Sequence, residues 1–333
     1  MRISDLEVNE QYTIDLALIS ASARKTKAGK DYLFLELSDG VDTIKGNYWD
    51  WTSGKVPANN TVLSIDCTCT TWSGNKQLTV QGMRVSDKSI TDFAPQGPYD
   101  VNNIYTEAYS LLSDVKDDML RQLALDVLED PCLKQKWLTI PGAKTIHHNF
   151  AGGTLVHCYS TAKIAKAIAE NTIGADIDLC TVGAFLHDIG KLFTYKLDGA
   201  AINKTPRGAL FDHIYIGAEF VSNYADSMLN TDNEVVAYKV DLLKHIILSH
   251  HGRLEYGSPI VPQCLEAHIV ACADGIDACS ETLRAESKKS VGTSDYPWTA
   301  KIFSQNNLPH IAIPTMESEI VTVDDIAGLE SLL

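Results

Sequence analysis

The sequence predicts a multi-domain α+β chain: a small N-terminal β-barrel over residues 1–93, then an all-α domain over residues 94–333 that ends in a C-terminal extension. Three observations carry the prediction. As far as residue 93, apolar and polar side chains alternate in short runs broken by Gly and Asn turns, the two-residue period of strands. From Asn103 the apolar residues recur at the helical period instead. Between the two, Asp92-Phe93-Ala94-Pro95-Gln96-Gly97-Pro98 gathers two prolines and a glycine, the punctuation of a boundary.

The strands are expected at residues 12–19, 32–37, 43–49 and 61–69, with a last hairpin of 70–72 and 77–80 across Ser73-Gly74-Asn75-Lys76. Short strands at near-regular spacing close most simply into a barrel. Tyr32, Phe34, Tyr48, Trp49, Trp51 and Trp72 either fill and rim that barrel or stack bases, with Arg24, Lys25, Lys27, Lys30 and Lys76 available to a nucleic-acid backbone. Core filling is the simpler role for any single aromatic. Tyr32 and Phe34 lie two apart on one strand and share a face, expected to be the inner one. Trp72, beside a turn, is the stacking candidate and is assigned to substrate binding.

In the helical part Ala108, Leu111, Leu112, Val115, Met119, Leu123, Leu125 and Leu128 keep helical spacing. Pro131 opens a short helix that stops before Pro141-Gly142. Gly152 and Gly153 precede a helix carrying His157, and an apolar run over residues 179–186 leads into His187-Asp188. Gly190 is placed to end that helix. Residues 205–208 read as loop, and the last long helix spans residues 265–283. Beyond Ala285 the pattern weakens: residues 290–297 read as loop, 311–314 as a short extended piece and 321–333 as an acidic, helix-like tail.

A net charge of −15 over 333 residues argues against a protein that grips duplex through a broad basic surface. It leaves room for phosphates held in a metal-filled pocket. Residues 1–95 carry 10 basic and 12 acidic side chains, so most of the negative charge falls on the helical part. No run reaches the ~20 apolar residues of a membrane span, and the N-terminus lacks the layout of a signal peptide. The eight cysteines show no zinc-ribbon spacing, and most sit among apolar neighbours, as free thiols do in a reducing compartment. The expected location is the cytoplasm.

Chemistry enters where polar residues interrupt apolar helical runs. His157, His187-Asp188, His213, His250-His251 and Asp274 each lie in or beside such a run, where an unpaired polar group is costly. Histidine and carboxylate together suit Mn, Fe, Co or Zn better than Ca. Lys191 follows the His-Asp pair closely enough to reach a phosphate oxygen; otherwise it is a solvated helix-end lysine. Arg207 and Arg253 are either contacts to flanking phosphates or surface cations. Asp277, one turn beyond Asp274, reads as a group that supports a ligand rather than one that ligates. His245, His268 and His310 have no such setting and read as structural or exposed.

The set His147-His148-Asn149-Phe150-Ala151-Gly152-Gly153, His157, His187-Asp188-Ile189-Gly190-Lys191, Leu248-Ser249-His250-His251-Gly252, Gly257-Ser258-Pro259, Glu266-Ala267 and Asp274 resembles the YhaM family of 3′→5′ exoribonucleases. In these an OB-fold precedes an HD-domain metal-dependent phosphohydrolase. The turns at Thr26-Lys27-Ala28-Gly29-Lys30 and Gly74-Asn75-Lys76-Gln77-Leu78 and the Trp49-Asp50 pair resemble that OB-fold. The resemblance implies two divalent ions, Mn²⁺ in the first place, one on His157, His187, Asp188 and Asp274 and one on Asp188, His213, His250 and His251. It implies a hydroxide directed by the two ions at phosphorus, Asp188 and Lys191 as catalytic residues, and His148, Lys191 and Arg253 as contacts to single-stranded RNA or DNA. Two other readings stay open. One is an HD phosphodiesterase acting on a small cyclic or linear nucleotide. The other is a non-catalytic single-strand-binding protein with structural metals. No membrane partner is expected, and a homo-oligomer is compatible with the sequence.

Overall fold

The computed structural model describes residues 1–333 apart from 53, 73–74, 145–146, 229–232, 291–297, 300, 303–307 and 312–333, and only the backbone of 228 and 288–290. Met1–Asp277 forms one compact unit and Ala278–Leu333 a second.

Five strands, β1 (Gln11–Lys25), β2 (Asp31–Ser38), β3 (Thr43–Tyr48), β4 (Thr61–Trp72) and β5 (Asn75–Val85), close a barrel in the order β1-β2-β3-β5-β4. Antiparallel β1–β4 pairing and a short parallel β3–β5 ladder complete the circuit, so no edge is left open. Leu16, Leu18, Leu33, Leu35, Leu37, Leu63, Ile65 and Leu78 fill the interior. Alternation in β2 therefore points Leu33, Leu35 and Leu37 inward and leaves Tyr32 and Phe34 half-buried on the outer face. The two aromatics do share a face, but it is the outer one, because the leucines have taken the core. The expected break after residue 69 is absent: β5 pairs with β4 from Leu63 to Trp72 and holds it as one strand. Ser73 and Gly74 of the expected turn lie outside the described residues.

A 3₁₀ turn, Ile90–Phe93, leads out of the barrel. The proline-rich segment is tied down on both sides, with Gln96 N donating to Gly40 O at 2.7 Å and Ala151 N to Pro95 O at 2.8 Å. There follow α1 (Val101–Ser113), α2 (Asp118–Glu129), α3 (Pro131–Thr139), α4 (Gly153–Glu170), α5 (Ile177–Leu186), α6 (Lys191–Thr194), α7 (Pro206–Met228), α8 (Glu234–Ser249) and α9 (Leu265–Ser290). Side chains of Asp100, Asp117, Asp130, Asp176 and Asn233 cap the N-termini of α1, α2, α3, α5 and α8, satisfying amides that the first turn leaves open. Helix α5 is apolar all round and buried from Leu179 to Leu186, as a central helix must be. It packs against α2, α4 and α8.

Two local expectations are corrected. Between α6 and α7 the chain forms a hairpin of β6 (Tyr195–Asp198) and β7 (Ala201–Lys204), which the helical reading passed over. Residues 206–208 of the expected loop already belong to α7, which is interrupted at Asp212 by a left-handed φ of 56° and ψ of 172°. In the second unit isolated bridges pair Trp298 with Ile311 and Ile302 with Leu308. Residues 291–297, 312–314 and 321–333, expected as loop, extended piece and tail, lie outside the described residues. Among the described residues no helix is long and apolar enough to cross a membrane, and all eight cysteines are free thiols.

Candidate metal centre

Close backbone crossings bring the ligand candidates together. A Cβ on Gly153, at the start of α4, would lie 2.0 Å from His148 O, so only glycine lets the segment carrying His147 and His148 lie against the His157 helix. A Cβ on Gly190 would lie 2.0 Å from His213 O and 2.7 Å from Gly217 N. This corrects the role expected of Gly190. Its φ of −60° is ordinary right-handed backbone, not a helix-ending cap, and its use is to let the turn after α5 touch α7. That contact sets Asp188 beside His213. His250 and His251 follow α8 directly, and Asp274 and Asp277 lie one turn apart on α9.

Among the described residues four overlapping groups result, each with donor atoms within 4.8 Å of one another. His157, His187 and Asp274 form one and His213, His250 and His251 another, while His187, Asp188 and His250 join these two and His148, His157 and Asp277 lie behind the first. Asp188 faces the first two groups. Its Oδ2 lies 3.2 Å from His157 Nε2 and 3.3 Å from His187 Nε2, while its Oδ1 lies 3.3 Å from His213 Nε2 and 3.6 Å from His250 Nε2.

The far nitrogen of each ring is committed elsewhere. His187 Nδ1 donates to Ala184 O at 2.5 Å, His250 Nδ1 to Ile247 O at 2.7 Å and His251 Nδ1 to Tyr256 O at 2.7 Å. His213 Nδ1 donates to Asp212 Oδ1 at 2.8 Å and His157 Nδ1 to Asp277 Oδ2 at 2.7 Å. A carbonyl or carboxylate can only accept, so each Nδ1 carries the hydrogen and each Nε2 is turned toward the centre, able to offer a lone pair when it carries no proton. His157 Nε2 and His187 Nε2 stand 3.1 Å apart. Asp188 Oδ1, His213 Nε2 and His250 Nε2 are buried without a hydrogen bond, a costly state unless a cation meets them. These residues fit a divalent metal: they are buried acceptors converging from several elements, of the mixed type that transition ions favour.

The electrostatics agree. Burial opposes charge on His157, but Asp188, Asp274 and Asp277 outweigh it and hold its pKa well above the histidine range. Burial likewise opposes charge on Asp188, and Lys191, His187 and His157 reverse that, holding its carboxyl well below the usual range. Asp274 and Asp277 are held down in the same way by their histidines, against burial. Burial lowers His250 and His251. His147, half-buried with its ring centroid 5.6 Å from that of His157, is pushed down to about 3 by burial and then by His157, Lys191 and His148. The pocket is an anionic one that draws positive charge.

Lys191 is buried, with Nζ 2.5 Å from Asp188 Oδ2. It is neither a solvated helix-end lysine nor a flexible one. His148 is also buried, and its Nε2 donates to Asp277 Oδ2 at 2.8 Å. It faces Asp277 from within the protein, and Asp277 in turn holds His157. Arg253 is exposed, its guanidinium 5.7 Å from the Tyr256 ring centre. Arg207 pairs with Glu219. Trp72 is 73% exposed at the end of β4, on the barrel. His245 accepts from Gln263 N at 2.9 Å, and His268 is exposed. Neither joins the centre.

Residues 154–279 match the family model of the HD domain. That stretch contains every ligand candidate from His157 to Asp274. Among solved structures the chain is similar to the HD domain of the L. monocytogenes phosphodiesterase PgpH, at 24% identity and TM-score 0.28, covering 45% of this chain and 73% of that one. It is also similar to the second OB-fold domain of replication protein A from Methanococcus maripaludis, at 18% identity and TM-score 0.23, covering 27% of this chain and 96% of that one. The chain is a closed five-stranded barrel followed by a helical part in which residues 154–279 match the HD domain.

Proposed function

We propose that this chain is a metal-dependent phosphodiesterase that removes nucleotides from the 3′ end of single-stranded RNA, with single-stranded DNA as a further substrate. The observation that carries the reading is Asp188, whose two carboxylate oxygens face two separate histidine-bearing groups. His157, His187, Asp188 and Asp274 would hold one ion, and Asp188, His213, His250 and His251 the other, with Mn²⁺ the preferred metal. Two bound ions supply an activated oxygen nucleophile and a counter-charge for the leaving oxygen.

The remaining roles belong to the chain. Asp277 and His148 fix the His157 ring. Lys191 is a cation held dry beside Asp188, so it can oppose charge building on a non-bridging phosphate oxygen where water screens least. Arg253, at the exposed end of the His250-His251 segment, is a contact to a flanking phosphate. On the barrel, Tyr32 and Trp49 bring their ring centroids to 4.6 Å, and Arg24 lies 3.6 Å over Phe34. That aromatic and cationic face, with exposed Trp72, suits unpaired bases. Direction of attack and choice of polymer follow the resemblance to YhaM proteins; a cytoplasmic setting follows from cysteine usage.

The net charge of −15 favours a second reading, a small cyclic or linear nucleotide as substrate. Incubation with Mn²⁺ and 5′-labelled single-stranded RNA, single-stranded DNA or a cyclic dinucleotide, with products resolved by size, decides between them. A ladder shortening from the 3′ end supports the exonuclease. Cleavage of the dinucleotide alone supports the second reading, and cleavage of none rejects both.

A further inference from the structure

The β6–β7 hairpin leaves the metal centre, touches the barrel and returns. At its tip, Asn60 of the barrel donates from Nδ2 to Asp198 Oδ1 at 3.0 Å and accepts from Ala200 N at 3.2 Å on Oδ1. Gly199 has a φ of +58°, and a Cβ there would lie 2.6 Å from both Asn60 Oδ1 and Ile90 Cγ1. Ala200 is buried in a small apolar cluster with Ala17, Val62 and Phe93. The tip is therefore seated in the barrel wall.

The root of the hairpin is joined to the centre on both strands. Tyr195 follows α6, which begins at Lys191, without a break. Thr205 N donates to Thr194 O and Thr205 Oγ1 to Phe193 O, both at 2.8 Å. On the return strand Lys204 Nζ meets Asp212 Oδ2 at 3.0 Å, and Asp212 Oδ1 accepts from His213 Nδ1 at 2.8 Å. Asp212 occupies a backbone region that residues other than glycine hold only when their surroundings force it. Here Lys204 on one oxygen and the His213 amide and ring on the other supply that force. The covalent path between Lys191 and His213 runs along α6, through this hairpin and into the start of α7.

We propose that the hairpin is a strut through which the barrel sets the positions of Lys191 and His213, with Asn60 and Asp212 as positioning residues. The barrel then contributes to chemistry even on a substrate too small to touch it. The activity arm of this inference rests on the phosphodiesterase reading; the positional arm does not.

The test is a paired exchange in the full chain. Asn60→Asp keeps a residue that tolerates the left-handed backbone but sets a carboxylate against Asp198. Adding Asp198→Asn restores a donor and an acceptor in swapped places. In metal-free protein, Asn60→Asp is expected to speed amide exchange roughly tenfold in peptides covering residues 190–194 and 212–217, while barrel strands stay protected. With Mn²⁺, kcat should fall roughly 10–100-fold on both bis(p-nitrophenyl) phosphate and single-stranded RNA, with KM for RNA within about twofold. The double variant should recover both readouts. Unchanged exchange at the two segments, or a loss that the double variant does not recover, overturns the strut. If the unaltered protein cleaves neither substrate, the phosphodiesterase reading falls, and the exchange arm still judges the strut.

Discussion

Asp188 faces both groups of proposed ligands, and neighbouring side chains meet it in separable ways. Asp188→Asn keeps the size but puts an NH2 donor where one of the two oxygens stood, so only one of the two groups still meets an acceptor. Elemental analysis after dialysis against Mn²⁺ is expected to fall from near two ions per chain to less than one. Lys191→Ala should leave metal content unchanged, since an ammonium has no lone pair to give, and lower the single-turnover rate by about 10²–10³. Wild-type rates in that variant would return Lys191 to a purely structural ion pair with Asp188. Asp277→Asn removes a carboxylate oxygen that accepts from two rings, so calorimetric Mn²⁺ affinity should drop roughly 10–100-fold although every ligand remains. The ligand candidates were legible in the sequence because each interrupts an apolar run, where an unpartnered polar group is expensive. The supporting role of Asp277 was legible too, one turn beyond Asp274, but its partners His157 and His148 were not. His148 and Asp277 are 129 residues apart, and no local period reports a hydrogen bond of that span.

At the scale of elements, glycines decide which helices touch. In Gly190→Ala the new methyl would meet the His213 carbonyl, and overpacking of this kind costs typically 1–3 kcal/mol. Thermal melting should show that loss, and Mn²⁺ binding should weaken with it, because the turn carrying Asp188 is pushed off α7. Asp117 offers a pH-dependent check far from the metal. It caps α2 and pairs with Lys239 of α8; burial opposes its charge, and the Lys239 bond overcomes that to lower its pKa. A depressed carboxyl stabilises above its unfolded pKa of about 3.9 and loses that stabilisation as pH falls through the folded value. Asp117→Asn, which keeps a cap, should therefore melt lower than the parent at pH 7 by about 1 kcal/mol or less, as a partly exposed pair allows. The gap should close as pH falls below the unfolded value and through the lower folded one. Most helices were readable from the period of their apolar residues. The β6–β7 hairpin was missed because each strand is four residues long, too short for alternation to register beside long helices. Its Asp198-Gly199 turn is the signal that could have found it.

For the molecule as a whole, the two proposals give the barrel separable tasks, seating the hairpin and holding single strands, and they fall on different residues. Asn60 and the cluster around Ala200 would serve the first. Tyr32, Trp49, Phe34 and Arg24 would serve the second, and their placement outside the barrel follows from the leucines filling the interior. Alternation alone could not have said so, because it fixes which residues share a face but not which face is inside. Stacking is worth about 1–3 kcal/mol per base, and each 1.4 kcal/mol is tenfold in affinity. Tyr32→Ala with Trp49→Ala should therefore raise KM for single-stranded RNA by roughly 5- to 150-fold for one lost base contact. Neither ring touches the hairpin seat, so kcat on RNA and both constants for bis(p-nitrophenyl) phosphate should stay within about twofold. Steady-state kinetics on the two substrates, with Trp72→Ala measured alongside, separates the faces. A fall in kcat on the small diester would show that these aromatics act through the fold instead of through bases. An unchanged KM for RNA in the double variant, with a rise in Trp72→Ala, would move the strand to the β4–β5 end of the barrel.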